Sequence, residues 1–362
     1  MRSLHKLLAL LLALMMTAAA CGGSDSEDSG ESTDSGSLSG TLVGAGASSQ
    51  KAGMDGWLAG YSAVQPDVQV SYDPIGSGGG RETFLSGGSN FAGSDAYLKD
   101  EEIEASKEVC ENPEGAVNLP HYISPIAVAY NLPGIEGLNL TTEALASIFA
   151  GEVSTWNDPL IADANPDLEL PDTTINPVHR SDESGTTENF TDYLAAVEPD
   201  IWTVGAIEVW PTEYGGEGAD GTSGVVAATG AGEGSIGYAD ASQVGSLGVA
   251  NIQVGDDFVA YSPEAAARIV DVSTRVEGRS EYDFAIELVR DTTESGVYPI
   301  ALVSYHVVCL DYADDDVAVL VKDFMTYISS PEGQAAAQSA AGSAPISDEL
   351  RAEIAVVIEM IS

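Results

Sequence analysis

Three times in this chain a glycine- and serine-rich turn stands between a run of β-forming residues and an amphipathic helical pattern. Gly44-Ala45-Gly46-Ala47-Ser48-Ser49 follows Thr41-Leu42-Val43, and Gly76-Ser77-Gly78-Gly79-Gly80 follows the run from Val68 to Tyr72. Ser184-Gly185-Thr186 comes soon after the run from Thr174 to His179. Helices are expected where Met54, Trp57, Leu58 and Tyr61, and again Phe190, Tyr193, Leu194 and Val197, recur at the spacing of one helical face. Further strands are expected at Ile126 to Tyr130 and Ile300 to Leu310. A last helix, through Val319, Phe324, Tyr327 and Ile328, should stop near Pro331 and Gly333. Strand, turn and helix in alternation build layered α/β structure, and no repeat of solenoid period competes with that reading.

The same turns carry chemistry. The first backbone N–H groups of a helix have no partner within it, and the helix dipole makes that end partly positive. Glycine allows a ligand close to this backbone and a hydroxyl adds a donor, so each turn is a candidate anion site. Taken singly, such turns are ordinary caps and loops. Three in one chain point to a shared site. Arg180 adds a planar fork of donors four residues before Ser184, and Asp182 stands close enough in sequence to hold it. Phe91-Ala92-Gly93-Ser94-Asp95 reads as a short strand ending in a carboxylate, ahead of a helical stretch from Lys99 to Ser106. Alone, Asp95 would be a helix cap. Among anion donors it would repel a guest unless the guest brings a proton, because an ionised carboxylate only accepts. Phosphate near neutral pH keeps a proton and sulfate keeps none, so such an Asp selects phosphate by penalising sulfate.

The N-terminal end sets the compartment. Arg2 and Lys6 flank a short apolar run from Leu7 to Met16, and Thr17-Ala18-Ala19-Ala20 precedes Cys21. Residues 1–20 thus read as a secretory signal. Small residues before a cysteine resemble the lipobox of bacterial lipoproteins, in which that cysteine is acylated. Cys21 is the expected anchor, and residues 21–37, without an apolar side chain beyond it, are expected as a flexible tether. Cys110 and Cys309 are then a candidate disulfide in an oxidising exterior, two buried free thiols being the alternative. A net charge of −44 with only 13 Lys and Arg excludes recognition of nucleic-acid backbones. No spacing here resembles a zinc site, and neither a metal nor a cofactor is expected.

With those residues laid out, the chain resembles the phosphate-binding proteins of bacterial phosphate ABC transporters, the PstS family. The matching stretches run through nearly all of the mature chain: Gly44 to Ala47, Ile75 to Gly80, Phe91 to Ala96, Ala129 to Gly134, Trp156 to Pro159, His179 to Thr186 and Gly234 to Tyr238. The resemblance implies a two-domain periplasmic-binding-protein fold of type II-like α/β architecture. It places residues 38–123 with 299–362 in the first domain and 124–298 in the second, two chain crossings between them and the ligand in the cleft. It implies phosphate contacts from Ser48, Ser49, Ser77, Asp95, Arg180, Ser184, Gly185 and Thr186, with Asp182 steadying Arg180. Hydroxyls would come from Ser48, Ser77, Ser184 and Thr186, and backbone amides from Ser49 and Gly185. It also implies permease subunits as partners and a monomer held at the outer face of the membrane through its lipid alone. One departure stands out: the family commonly shows Thr-Phe-Pro where this chain has Ser48-Ser49-Gln50, so an aromatic wall is missing.

Two other readings compete. Asp95 separates phosphate from other tetrahedral oxyanions such as sulfate, molybdate or a phosphonate. A phosphate-ester hydrolase built on Ser184, His179 and Asp182 lacks a nucleophile-elbow pattern, and the mature chain holds only His121, His179 and His306 for a metal cluster.

Overall fold

The computed structural model describes residues 38–362, so the expected signal peptide, Cys21 and the tether lie outside the described residues. Nine strands form the main sheet: β1 (Gly40–Gly46), β2 (Val68–Asp73), β3 (Phe91–Ser94), β4 (Ala116–Tyr130), β5 (Asn176–Arg180), β6 (Glu217–Ala219), β7 (Ser235–Asp240), β8 (Gly248–Val249) and β9 (Ala301–Cys309). Their order is β2-β1-β3-β9-β4-β7-β5-β6, with β8 also beside β4. The helices that matter most here are α1 (Lys51–Val64), α2 (Ser77–Leu85), α3 (Gly185–Val197), α4 (Gly221–Ala231), α5 (Asp315–Ser329) and α6 (Pro331–Ala341).

The sheet has two parallel ends joined by antiparallel strands. β1 runs parallel to β2 and β3, and β5 runs parallel to β6 and β7. β4 joins them: Ala116 to Pro125 pair with β9, and Ile126 to Tyr130 pair with β7. All fifteen residues of β4 are buried. Only its last third, Ile126 to Tyr130, was expected as strand. Pro120, His121, Ser124 and Pro125 interrupt the apolar run of the part before it, and prolines normally argue against a central strand. Here a β-bulge follows Pro120. Tyr122 pairs with Ser304 and Pro120 with Tyr305, which leaves His121 as the extra residue.

Helix α1 buries Met54, Trp57 and Tyr61, and the Trp57 indole donates to the Gly333 carbonyl of α6 (2.9 Å). Pro331 does end α5, as expected, but it also begins α6. Ser330 caps that helix, and Pro is tolerated in a first turn because its missing N–H needs no partner there. Gly333 therefore lies inside a helix. On α5, Val319 is exposed and Leu320 and Val321 face the core instead. Cys110 and Cys309 form a disulfide, which ties the segment after the helix Asp100–Ser106 to the end of β9.

Candidate functional site

Asp95 follows the last residue of β3, and its side chain is turned into the protein, with 3% of the residue exposed. Three hydroxyls from three distant segments donate to its carboxylate. Ser49 Oγ lies 2.7 Å from both oxygens, Thr186 Oγ1 lies 2.7 Å from Oδ2, and Ser304 Oγ lies 2.5 Å from Oδ1. The backbone of Asp95 is held too. Its N–H donates to Ser77 Oγ (3.1 Å), and its carbonyl accepts from Asn189 Nδ2 (2.8 Å). Burying a carboxylate costs several kcal/mol unless donors replace water, and these hydroxyls do so.

Arg180 ends β5 and is 2% exposed. Its Nε donates to Asp182 Oδ1 (2.7 Å) and its Nη2 to Asp182 Oδ2, the two-point geometry that a guanidinium makes with a carboxylate. Nη1 is left to reach Thr186 Oγ1 at 3.5 Å. Thr186 thus stands between the cation and the Asp95 carboxylate. The Arg180 N–H bonds the Tyr238 hydroxyl (3.2 Å), and the Tyr238 ring stacks on Phe190, so the strand end is clamped from behind. Two glycines are required by close approach. Gly76 has φ +92°, and a Cβ there would collide with Asp182 Oδ2. A Cβ on Gly185 would come within 2.8 Å of Ser77 Oγ and 2.9 Å of the Asp95 carbonyl carbon.

Ser49, Ser77, Asp95, Arg180, Asp182, Gly185 and Thr186 are brought together, while the side chains of Ser48 and Ser184 are engaged elsewhere. The hydroxyl beside Asp95 is that of Ser49, whereas Ser48 Oγ accepts from the Thr222 N–H (3.0 Å) and pairs with Thr222 Oγ1 (3.1 Å). Ser184 Oγ is occupied as the cap of α3, accepting from the Thr187 N–H (3.2 Å). Sequence reading missed four contributors. Thr222 opens α4 beside Gly221, whose N–H donates to Asp182 (3.1 Å). Gln243 Nε2 donates to the Ser48 carbonyl (2.9 Å). Gln50 and Ser304 lie behind Asp95. A signal existed for α4, since strand β6 followed by Asp220-Gly221-Thr222 repeats the strand-turn-helix pattern seen elsewhere. Ser304, a lone serine in an apolar strand, offered none.

The hydrolase arrangement does not form. The His179 ring stacks on Trp210 with centroids 4.8 Å apart, and its Nδ1 lies 2.9 Å from the Arg180 carbonyl. His121 and His306 face each other in the core, Nδ1 to Nδ1 at 3.1 Å. Among the described residues no group of three or more His, Cys, Asp or Glu is placed to hold a metal ion.

Beside the site lies a cavity of about 170 Å³ bordered by Asp95, Tyr97, Glu188, Asp192, Arg290 and Tyr305. Burial, reinforced by nearby Glu208, pushes the Glu188 carboxyl up to about 7. A carboxyl raised in the folded state contributes its stability below its ordinary value of 4.5 and loses it as pH rises through about 7. Glu188→Gln should therefore gain roughly 1–3 kcal/mol of stability at pH 8 and nothing at pH 4.5. Urea midpoints at the two pH values check this.

Comparison with known proteins decides the lineage. Residues 31–332 match the family described as a PBP superfamily domain. Phosphate-binding protein PstS 2 of Mycobacterium tuberculosis is 34% identical, over 98% of this chain and 97% of that protein. The chain belongs to the PstS family. PstS 3 of the same organism is 35% identical over the same shares of both chains. Among solved structures, a high-affinity periplasmic phosphate-binding protein with bound phosphate superposes with a TM-score of 0.71 at 20% identity, covering 88% of this chain and 93% of the other. The phosphate-binding protein of Stenotrophomonas maltophilia gives 0.66 at 19% identity, covering 88% and 94%. These likenesses establish the two-domain periplasmic-binding-protein fold of mixed α/β architecture.

Proposed function

We propose that this chain captures inorganic phosphate outside the cytoplasmic membrane and delivers it, as a monomer anchored through acylated Cys21, to the permease subunits of an ABC importer. Residues 38–123 with 299–362 form one lobe and 124–298 the other, and the anion is held between them by Ser48, Ser49, Ser77, Asp95, Arg180, Ser184, Gly185 and Thr186. The observation that carries this reading is Thr186, whose one hydroxyl touches both the Asp95 carboxylate and the Arg180 guanidinium. A guest at that point meets a fixed acceptor and a fixed cation together. Only an anion that still carries a proton satisfies both. The hydroxyls of Ser49 and Thr186 rotate freely enough to turn from Asp95 to such a guest. Relatives named for phosphate binding, alike over the whole chain, support the same reading.

The acidity of the protein does not oppose it. Charges beyond about 8 Å are screened in physiological salt, whereas direct donors to a dehydrated anion are not. Phosphate affinity is therefore expected to change only modestly between low and moderate salt.

The decisive measurement is a calorimetric titration of the mature domain with phosphate, sulfate and arsenate. Phosphate is expected to bind far more tightly than sulfate, and Asp95→Asn to narrow that gap by roughly ten- to a hundredfold, the equivalent of one hydrogen bond to a charged group. Equal binding of phosphate and sulfate by the unmodified protein would overturn the role of Asp95. A collapse of affinity with added salt would overturn the reading of a dry site with local donors.

A further inference from the structure

We infer that Ser304, reached through Gln50, is a positioning residue that fixes Asp95 as a pure acceptor and so sets anion selectivity. The inference rests on the phosphate reading above and adds to it a residue that never meets the ligand. Ser304 is fully buried on β9, at the point where the pairing register with β4 shifts. Bulges of this kind bend a strand locally and re-aim a side chain, and they recur beside functional sites. On its other edge β9 pairs with β3, Tyr305 opposite Ser94, so Ser304 falls beside the next residue, Asp95, and its Oγ lies 2.5 Å from Oδ1 although the two residues are 209 positions apart in sequence.

The direction of that hydrogen bond is determined. Gln50, also fully buried, places its side-chain nitrogen 2.5 Å from Ser304 Oγ and 3.2 Å from the Tyr305 carbonyl oxygen. A carbonyl oxygen only accepts, so the nitrogen end of the amide must face it. The same NH₂ group then donates to Ser304, which has one proton of its own left to give. That proton goes to Asp95 Oδ1. The chain Gln50 to Ser304 to Asp95 thus has one polarity, and a proton placed on Oδ1 would meet the Ser304 proton head-on.

A donor held on Oδ1 favours the ionised carboxylate, so Asp95 stays an acceptor and sulfate, which needs donors only, is refused. Without Ser304 the ionised carboxylate loses one of its donors, so Asp95 takes up a proton more readily as pH falls and can offer it from Oδ2, the oxygen beside Thr186, to an unprotonated anion. The loss of selectivity should therefore be pH-dependent, and it is read as a difference from the unmodified protein because Arg180 through Thr186, Asp240, Tyr72 and Glu188 face Asp95 in both proteins. A purely structural role for Ser304 would weaken phosphate and sulfate alike at every pH.

The test is calorimetric titration of the full mature domain, unmodified and as Ser304→Ala, with phosphate and with sulfate at pH 5.5 and pH 8. The phosphate-to-sulfate affinity ratio is expected to fall roughly tenfold or more at pH 5.5 in Ser304→Ala and to change much less at pH 8. Ser304→Thr, which keeps the hydroxyl, should restore it. Should Ser304→Ala not fold, Gln50→Leu removes the donor that orients Ser304 and is expected to shift the ratio in the same direction. An unmodified protein that selects phosphate, with variants whose ratio is unchanged or falls equally at both pH values, overturns the role of Ser304 alone. An unmodified protein that does not bind phosphate overturns the site and this inference with it.

Discussion

Arg180→Met is expected to weaken phosphate binding by roughly two to four orders of magnitude, the equivalent of two hydrogen bonds between charged groups at about 1.5–3 kcal/mol each. The size of the effect follows from how Arg180 is held. Asp182 occupies Nε and Nη2, and the Gly221 N–H holds Asp182 in turn, so the guanidinium plane is set before any ligand arrives. Little further ordering is needed on binding, and preorganised donors retain most of their intrinsic strength. Arg180→Lys keeps the charge but not the fork, and should recover only part of the loss. Titration at constant ionic strength measures all three proteins. Affinity within threefold of the unmodified protein in Arg180→Met would show that the cation lies outside the binding site.

The second large effect concerns stability. Arg81, on α2, has a side chain only 1% exposed, yet it reaches three carboxylates. Nε donates to Glu102 (2.8 Å), and Nη2 lies 2.8 Å from Glu208 and 3.4 Å from Glu183. Nη1 donates to Ser94 Oγ (3.1 Å), one residue before Asp95. Burial by itself would lower the Arg81 pKa, but Glu208 and Glu102 together hold it above its ordinary value. Glu208 is as buried as its partner and keeps only Lys99 if Arg81 is removed. Breaking a buried pair leaves an uncompensated charge, so Arg81→Met should cost roughly 3–5 kcal/mol. Glu183, half exposed, contributes little to that figure. A urea midpoint unchanged in Arg81→Met would remove Arg81 from the account of stability. The same change is expected to reach the site indirectly, because Ser94 precedes Asp95 on β3.

Much of this architecture was legible before any coordinates. Strand β1, strand β2 and the start of α3 announced themselves through local pattern: β-branched runs, glycine turns and apolar residues at helical spacing. The part of β4 before Ile126 was hidden because its prolines and His121 look like loop chemistry. They become tolerable only when β9 lies alongside and a bulge takes up the extra residue. α4 was legible in principle, through Asp220-Gly221-Thr222, but its place at the site depends on β6 lying beside β5.

The residues alone showed that the chain alternates strands with helices and is kin to the phosphate-binding proteins, and they raised the expectation that several donor-rich turns and one arginine serve an anion. All of that is written in runs of a few residues, the range over which backbone propensity and side-chain spacing act. Tertiary structure decided which of two adjacent serines faces Asp95, and it brought in Ser304 and Gln50 from behind. Those choices depend on strand register and on a bulge between segments almost two hundred residues apart in the chain. Such pairings are set by the packing of the whole sheet and leave no mark on the local sequence.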